Sequence, residues 1–311
     1  MDKRLIVSPS PHLLSANTTT NIMFDVIIAM FPALFVSIIY FGWRPLMVTA
    51  VCVTSCVVFE FLVRKVMKRS NTISDLSAVV TGMLLAFNMP PAIPLWVAVI
   101  GSFFAIVIVK QLFGGIGQNF ANPAIAARIM LFVSFSTYMT TWTSPFAYRN
   151  SVDAIAKATP LMDINHANTF DLFIGNIPGC IGEVSAAALL IGGIYLVIRK
   201  VIHPLVPLTF IGTVFVLTWA LGDNPVNHIL AGGLMLGAIF MATDYATTPA
   251  TIAGKVIFAF GCGVITTLIR MFGSYPEGVS FAILLMNLLT PLIDRITMTR
   301  PFGAGGVKKR V

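Results

Sequence analysis

The feature that most constrains this chain is a series of apolar runs, each about as long as a membrane is thick. A helix that crosses the hydrocarbon core needs about 20 mostly apolar residues. The chain has 311 residues, of which 57% are hydrophobic and 10% are charged, whereas a soluble domain carries roughly 25% charged residues. We therefore predict an all-α integral membrane protein with about ten transmembrane helices. These fall at residues 24–41, 45–63, 76–89, 93–112, 121–138, 184–199, 204–221, 227–243, 252–270 and 278–297.

Two of the ten predicted helices, 76–89 and 227–243, are short and rich in small residues. A turn containing proline follows each one, at Asn88–Pro91 and at Asp244–Pro249. Irregular backbone at membrane depth is tolerated where it is buried in protein or lines a cavity. We expect both to be broken or half-spanning helices.

The basic residues predict the orientation, because cytoplasmic loops are enriched in Lys and Arg. With both termini in the cytoplasm and ten spans, the opposite side holds only four of the 20 basic residues: Arg44, Arg149, Lys157 and Arg270. Arg128 falls inside a span. The other fifteen lie at cytoplasmic ends: Lys3, Arg4, Arg64, Lys65, Lys68, Arg69, Lys110, Arg199, Lys200, Lys255, Arg295, Arg300, Lys308, Lys309 and Arg310. The chain is thus expected to be a multi-pass protein of a prokaryotic cell membrane, with its longest loop, 139–183, outside the cytoplasm.

The two halves of the chain resemble each other faintly. Lys110–Gly115 (KQLFGG) and Ile269–Ser274 (IRMFGS) each end a long apolar helix that follows a short glycine-containing one. Five spans per unit would invert one unit relative to the other, as in many transporters. The predicted organisation is a five-helix repeat at 1–138, the loop at 139–183 and a second five-helix repeat at 184–311, although such short matches also arise by chance in apolar sequence.

Several polar residues fall at membrane depth, where an ionisable group costs several kcal/mol unless it is paired. The candidates are Asp75, Lys110, Asn119, Asn122, Arg128 and Asp244. Arg128 lies about two turns inside a span, and either a structural pair with a carboxylate or a functional role would explain it. The charged residues nearer the helix ends, such as Lys110 and Arg270, are expected to reach the membrane interface.

Two further patterns carry less chemistry. Gly114–Gly117 precedes a helix and could bind an anion, but it lacks the GxxxxGK[ST] pattern of a nucleotide site. The four cysteines form no CxxC pair, so we expect no iron–sulfur or zinc site and no other metal site from this chain alone.

The long loop contains the segment Asp153–Leu161, DAIAKATPL. Threonine is a poor nucleophile without activation, and Thr-Pro in a loop is ordinarily turn chemistry. The residues alone make Thr159 an exposed hydroxyl near an acidic residue and nothing more.

The resemblance of the whole chain to a known family adds a function to that loop. Ser8–His12, Asp75–Gly82, Gly117–Ala124 and Asp153–Leu161 resemble the NqrB/RnfD family. That family comprises the D subunits of Rnf ion-pumping ferredoxin:NAD oxidoreductases and the B subunits of sodium-pumping NADH:quinone oxidoreductases. A flavin transferase there recognises roughly D-G-x-S/T-G/S-A-T and joins the FMN phosphate to the final threonine. The matching positions are Asp153, Ala158 and Thr159, and the departures are Ala154, Ala156 and Lys157.

The resemblance implies a membrane component of a redox-driven Na⁺ or H⁺ pump, active only within its complex, with FMN joined to Thr159 as an electron relay. No residue of this chain is expected to be catalytic by itself. Lys157 could pair with the flavin phosphodiester. Some relatives hold a second, non-covalent flavin such as riboflavin. The implied partners are the membrane and peripheral iron–sulfur and flavin subunits, a flavin transferase and lipid, with no nucleic acid.

Two other functions fit the sequence without a flavin. On composition alone a secondary transporter or channel with inverted repeats would rank first. A structural scaffold for other membrane subunits is the third reading. Retention of a yellow colour after denaturation separates the flavoprotein from both.

Overall fold

The structure is a computed structural model that describes residues 18–149, 161, 164, 167–273 and 278–298. The predicted flavin-loop residues Asp153, Lys157, Ala158 and Thr159 lie outside the described residues. The residues that the structure describes form helices and connecting turns without a β-strand, which confirms the all-α prediction.

The first half of the chain contains six α-helices. They are α1 (Thr19–Phe41), α2 (Arg44–Val66), α3 (Ser77–Phe87), α4 (Leu95–Phe103), α5 (Pro123–Ser134) and the four-residue α6 (Ser136–Met139). A 3-10 turn, Ile73–Asp75, precedes α3, and another, Ala147–Arg149, follows α6. A π-helical segment, Phe104–Gln111, continues α4 directly.

The second half follows the short helix α7 (Thr169–Ile174) of the long loop. It contains α8 (Ala186–Ile198), α9 (Leu205–Ala220), α10 (Pro225–Leu230), α11 (Leu234–Leu236), α12 (Ile252–Phe272) and α13 (Val279–Thr297). A second π-helical segment, Gly237–Met241, continues α11. The predicted span 227–243 is therefore a broken helix, as its sequence suggested.

Side-chain caps define where many of these helices begin. Ser, Thr and Asn before a helix can accept a hydrogen bond from an amide that the helix itself leaves without a partner. Six helices begin in this way, at Thr18, Asn122, Asn168, Ser185, Asn224 and Thr251.

The helices long enough to cross a membrane are the first two and the last two along the described chain. Among the described residues, α1, α2, α12 and α13 are each long and apolar enough to cross a membrane. The other apolar helices are shorter: α3, α4 with its π segment, α5, α8 and α9. All ten predicted spans coincide with helical segments.

One predicted span is wrong as a single helix. Residues 121–138 form α5 and α6, separated at Phe135, which leaves the helical region at φ −130° and ψ 48°. The break lies in a Ser-Phe-Ser-Thr sequence, and Thr140 and Thr141 bond backward to the carbonyls of Ser136 and Thr137. Hydroxyls that bond nearby backbone groups compete with a regular helix.

The helices pair in the same order in the two halves. In the first half α2 packs on α3 and α4, and α4 packs on α5; in the second, α9 packs on α10 and α12, and α12 packs on α13. The leading helices α1 and α8 pack against each other and join the halves around one apolar core. The five-helix repeat and the inverted relation between its units stay predictions.

Both short helices start from a residue in the left-handed region. Leu76, at φ 60° and ψ 5°, precedes α3, and Gly233, at φ 66° and ψ 8°, precedes α11. A left-handed leucine costs about 1–2 kcal/mol relative to a right-handed one. The two halves thus break the chain in the same way before the short helix that each contributes.

Candidate functional site

A cavity between the two halves brings together four of the six predicted polar residues. Lys110, Asn119, Asn122 and Asp244 all line it. The open space there, counting the mouth and the solvent that adjoins it, is about 770 Å³. Both π-helical segments reach the cavity, and such segments occur often at functional sites.

Apolar side chains form most of the cavity wall. They come from α1, α3, α8 and the second π segment: Ile22, Met23, Val26, Val80, Leu84, Leu196 and Phe240. The polar groups cluster where the π segments and the start of α5 meet. An apolar wall with a few convergent polar groups is the usual composition of a site for an organic ligand.

Lys110 is buried and paired, contrary to the expectation that it reaches the interface. Its Nζ lies 2.8 Å from Oε2 of Glu60 and 2.6 Å from Oγ of Ser77. Lys110 is 2% exposed and Glu60 is 0% exposed. The π-helical turn carries Lys110 inward toward α2, where Glu60 also accepts a hydrogen bond from Thr72. A buried charge is tolerated when a partner and further hydrogen bonds compensate it.

Asp75 does not line the cavity, but it is one hydrogen bond away. Its Oδ1 accepts from the amide of Ser77 at 2.8 Å and from the Ser77 hydroxyl at 2.5 Å. The same hydroxyl accepts from Lys110. Glu60, Lys110, Ser77 and Asp75 therefore form one continuous polar chain from α2 to the start of α3.

The two asparagines of the cavity differ in what they bond. Oδ1 of Asn122 caps α5 by accepting from the amides of Ala124 and Ile125, at 3.0 and 3.4 Å. The buried Oδ1 of Asn119 has no hydrogen-bond partner in the part of the chain that the structure describes. Asn119 is thus the cavity residue with an acceptor to offer a ligand.

Asp244 opens the turn after the second π segment. Its carboxylate accepts from the amide of Ala246 and from the hydroxyl of Thr247, both at 3.3 Å. This side chain helps to fold the turn that forms one edge of the cavity.

Arg128 lies in a separate cluster and has the structural pair that its position suggested. Its guanidinium contacts the Glu183 carboxylate at 3.3 Å and donates to Oδ1 of Asn88 at 2.6 Å. Oε1 of Glu183 lies so close to Gly233 that a Cβ atom there would approach it to 2.8 Å. The cluster joins α5, the end of α3 and the start of α11.

The end of the long loop packs against α10 and the turn before α11. Nδ2 of Asn227 donates to the carbonyls of Ile164 and Ala167, at 2.9 and 3.1 Å. Leu161 packs against Gly232, where the chain leaves no room for a side chain. These contacts fasten the segment that follows Thr159 to the break between α10 and α11.

Arg270 also serves that break, although it was expected to reach the interface. It donates to the carbonyls of His228, Ala231 and Gly232, at 2.5, 3.0 and 2.9 Å. The last carbonyls of a helix have no partner within it. A cation at this position also complements the helix dipole.

Sequence reasoning missed three residues of these clusters: Glu60, Glu183 and Asn227. Glu60 could have been found, because it is the one carboxylate in the apolar run 45–63. Glu183 and Asn227 gave no such signal, since their roles depend on contacts between distant segments. The four cysteines are buried thiols, and the described residues contain no cluster of three or more His, Cys, Asp or Glu side chains that could hold a metal ion.

Comparison with known proteins decides the family. Residues 6–303 match the NQR2, RnfD, RnfE family. The chain belongs to this family. The resemblance seen in the sequence is thereby confirmed over nearly its whole length.

Three relatives show how close the similarity is. One is the D subunit of the Na⁺-translocating ferredoxin:NAD⁺ oxidoreductase complex of Acetobacterium woodii, 48% identical over 98% of this chain and 97% of its own. The D subunit of the proton-translocating ferredoxin:NAD⁺ oxidoreductase complex of Clostridium ljungdahlii is 43% identical, over 96% of both chains. The D subunit of an ion-translocating oxidoreductase complex of Escherichia coli is 33% identical over 96% of this chain and 98% of its own.

Proposed function

We propose that this chain is the membrane-embedded D subunit of an Rnf-type, ion-translocating ferredoxin:NAD oxidoreductase. The observation that carries the proposal is the end-to-end similarity to relatives that are all named as D subunits of ion-translocating oxidoreductase complexes, two of them ferredoxin:NAD⁺ oxidoreductases. It works as one part of an oxidoreductase complex, in contact with membrane and peripheral partner subunits. The coupling ion is not proposed, because the two relatives of 48% and 43% identity are named for different ions.

The chain carries FMN joined through its phosphate to Thr159. The family motif supports this, and so does the anchoring of the residues that follow it. Leu161, two residues later, packs on Gly232, and two residues of chain span at most about 7 Å. A cofactor on Thr159 is therefore tethered beside the break between α10 and α11. Lys157 is the cation that pairs with the phosphodiester.

The cavity between the halves accepts a second, non-covalent flavin. Its apolar wall suits an aromatic ring system, and the unpartnered Oδ1 of Asn119 suits a ring N–H or a ribityl hydroxyl. Lys110 faces the cavity with its charge already balanced by Glu60. The residues present therefore fit an uncharged flavin such as riboflavin.

A bound flavin supplies one-electron transfer, and the organic chemistry is its own. This chain binds and orients it. Asn227 and Gly232 fix the loop, Asn119 marks the polar end of the cavity, and the apolar residues of α1 and α3 exclude water. The broken helix from Pro225 to Met241 contacts the end of the long loop through Asn227 and Gly232 and lines the cavity through Phe240. It therefore connects the proposed covalent flavin site with the cavity.

The test combines in-gel fluorescence and intact mass on protein co-expressed with a flavin transferase. Wild type is expected to give a fluorescent band carrying one covalent FMN, and Thr159→Ala a dark band at the unmodified mass. Thr140→Ala is the matched control, because Thr140 is an exposed threonine at the start of the same loop. A dark wild-type band, with the transferase active on a control substrate, would overturn the covalent flavin.

A secondary transporter is the second candidate. The broken helix and the cavity between two similarly paired halves favour it. It becomes the leading function if the wild-type protein carries no flavin of either kind.

A further inference from the structure

A second cluster of buried polar groups lies at the end of α2, outside the flavin cavity. Arg64 is 8% exposed, and Gln111, at the end of the π segment after α4, is 0% exposed. They meet at Gly115: a Cβ atom there would lie 2.6 Å from Nη2 of Arg64 and 3.9 Å from Oε1 of Gln111. The proposed electron-transfer role uses neither side chain.

Both side chains have hydrogen-bonding capacity that the protein leaves unused. Arg64 donates from Nη1 to the carbonyl of Ser70 at 3.3 Å, but its buried Nε has no partner within the described residues. Neither Nε2 nor Oε1 of Gln111 has a partner there either. Buried polar groups in proteins are nearly always hydrogen-bonded. A cluster of three such atoms around one glycine indicates a missing ligand.

The donors at this site are those that recognise an oxyanion. Nε and Nη2 form one edge of the guanidinium, and two parallel N–H groups bind a phosphate or carboxylate in bidentate fashion. Among the described residues no carboxylate lies within ion-pair distance of Arg64. The charge of Arg64 is thus left for a ligand to balance.

The loop that covers Arg64 is a glycine turn. Gly114, Gly115 and Gly117 have φ values of 127°, 107° and 82°, which glycine adopts without strain. The amides of Gly114 and Gly115 already bond the carbonyls of Gln111 and Lys110. The absence of a side chain on Gly115 lets the guanidinium of Arg64 lie directly against the backbone.

The surroundings favour a lipid headgroup as the source of the oxyanion. Further cations, Lys65, Lys68 and Arg69, are exposed at the same helix end. Exposed apolar side chains flank the glycine turn: Leu112, Phe113, Ile116 and Phe120. Basic pockets at the edge of a membrane protein bind phospholipid headgroups.

We propose that Arg64 and Gln111, beside the Gly114–Gly117 turn, form a binding site for a phosphate oxyanion, supplied by the headgroup of an anionic phospholipid. Arg64 holds two phosphate oxygens, and Gln111 donates to the phosphate and accepts from a headgroup hydroxyl. The apolar side chains beside the turn contact the acyl chains. This site is independent of the flavin sites and of the coupling ion.

The experiment is thermal unfolding of the full-length protein, delipidated in a neutral detergent, with and without added ligand. Phosphatidylglycerol in mixed micelles is expected to raise the wild-type unfolding temperature, and phosphatidylcholine is not. Inorganic phosphate is titrated separately. An equal rise with phosphate would keep the site and make free phosphate its ligand.

Gln111→Leu is the decisive variant, because it removes two unpartnered buried atoms at nearly constant volume. Without lipid it is expected to unfold at a temperature equal to or above that of wild type. Its apparent affinity for phosphatidylglycerol should fall about tenfold or more, as for a lost hydrogen bond to a charged group. Arg64→Lys keeps the charge and loses the bidentate edge, so it should weaken binding likewise.

Lys65→Gln is the control for diffuse surface charge, since Lys65 is the exposed neighbour of Arg64 and the substitution removes one positive charge from the same helix end. It should bind phosphatidylglycerol nearly as wild type does. Equal loss in Lys65→Gln and Gln111→Leu would show diffuse surface attraction and overturn the site. The proposal also fails if wild type responds to neither ligand, or if Gln111→Leu binds with unchanged affinity.

Discussion

Two pairs of buried charged residues in this protein are satisfied by each other rather than by water. Lys110 and Glu60 lie 2.8 Å apart with almost no exposure, and Arg128 contacts Glu183 at 3.3 Å with side chains 7% and 6% exposed. Removing one member of such a pair leaves an uncompensated charge, whereas removing both does not. Single and double substitutions are therefore expected to differ in their effect on stability, and this difference tests the pairing.

Lys110→Met is expected to destabilise the protein by about 3–5 kcal/mol, because Glu60 remains buried without its partner. The double variant Lys110→Met with Glu60→Gln should recover most of that loss. Unfolding in micelles, followed by circular dichroism, measures both. A double variant as unstable as the single one would contradict the pairing.

Asn119→Leu is expected to weaken retention of the proposed non-covalent flavin while leaving the fold intact. The substitution removes the acceptor that faces the cavity, and a lost hydrogen bond to a neutral ligand group weakens binding by about 0.5–1.5 kcal/mol. Flavin extracted from acid-precipitated protein gives the amount retained. Thr243→Val is a control, since Thr243 lines the cavity but bonds the carbonyl of Ile239. Equal retention in Asn119→Leu and wild type would contradict the role of Asn119.

At the scale of elements, the sequence predicted that the spans 76–89 and 227–243 are short and are broken or half-spanning, because proline, glycine and small residues mark such places directly. It did not predict that α5 and α8 are also short. It did not predict the two π segments, which are longer hydrogen-bond turns without a residue signature of their own. It therefore placed Lys110 at the interface, although the π turn directs it toward α2. The break at Phe135 was missed for a similar reason, since three hydroxyl residues beside an apolar run are compatible with a regular helix.

The break before α11 depends on a glycine. Gly233→Ala should destabilise the protein by about 1–2 kcal/mol, because a side chain at φ 66° is strained and its Cβ would meet Glu183. Gly212→Ala is the matched comparison, since it lies within α9 with open space around it. It should stabilise by up to about 1 kcal/mol. Denaturant unfolding of both variants measures the difference, and equal effects would contradict the role of Gly233.

At the scale of the whole molecule, the all-α fold follows from the apolar runs, while the pairing of helices and the other long-range contacts do not. The cavity gathers Lys110 and Asn119 from the first half and Asp244 from the second. No spacing pattern in the sequence predicts that these residues lie in one cavity. The predicted orientation depends on counting helices, so it needs a direct measurement.

Single cysteines on the two predicted sides test the orientation. A membrane-impermeant maleimide added to intact cells should label Thr140→Cys, and should label Lys68→Cys only after permeabilisation. Both positions are exposed, and the four native cysteines are buried, so the background is low. Labelling of Lys68→Cys in intact cells would reverse the orientation.

The position of the loop anchor in the chain sets an order of events during biosynthesis. Asn227, Gly232 and Arg270 all come later in the sequence than the segment they fasten. A ribosome therefore completes residues 161–167 before Asn227, Gly232 or Arg270 has been made. Until those three residues emerge, 161–167 lack the contacts that hold them in the folded protein. If Thr159 is the attachment site proposed above, a flavin transferase is expected to act on it most readily in that interval.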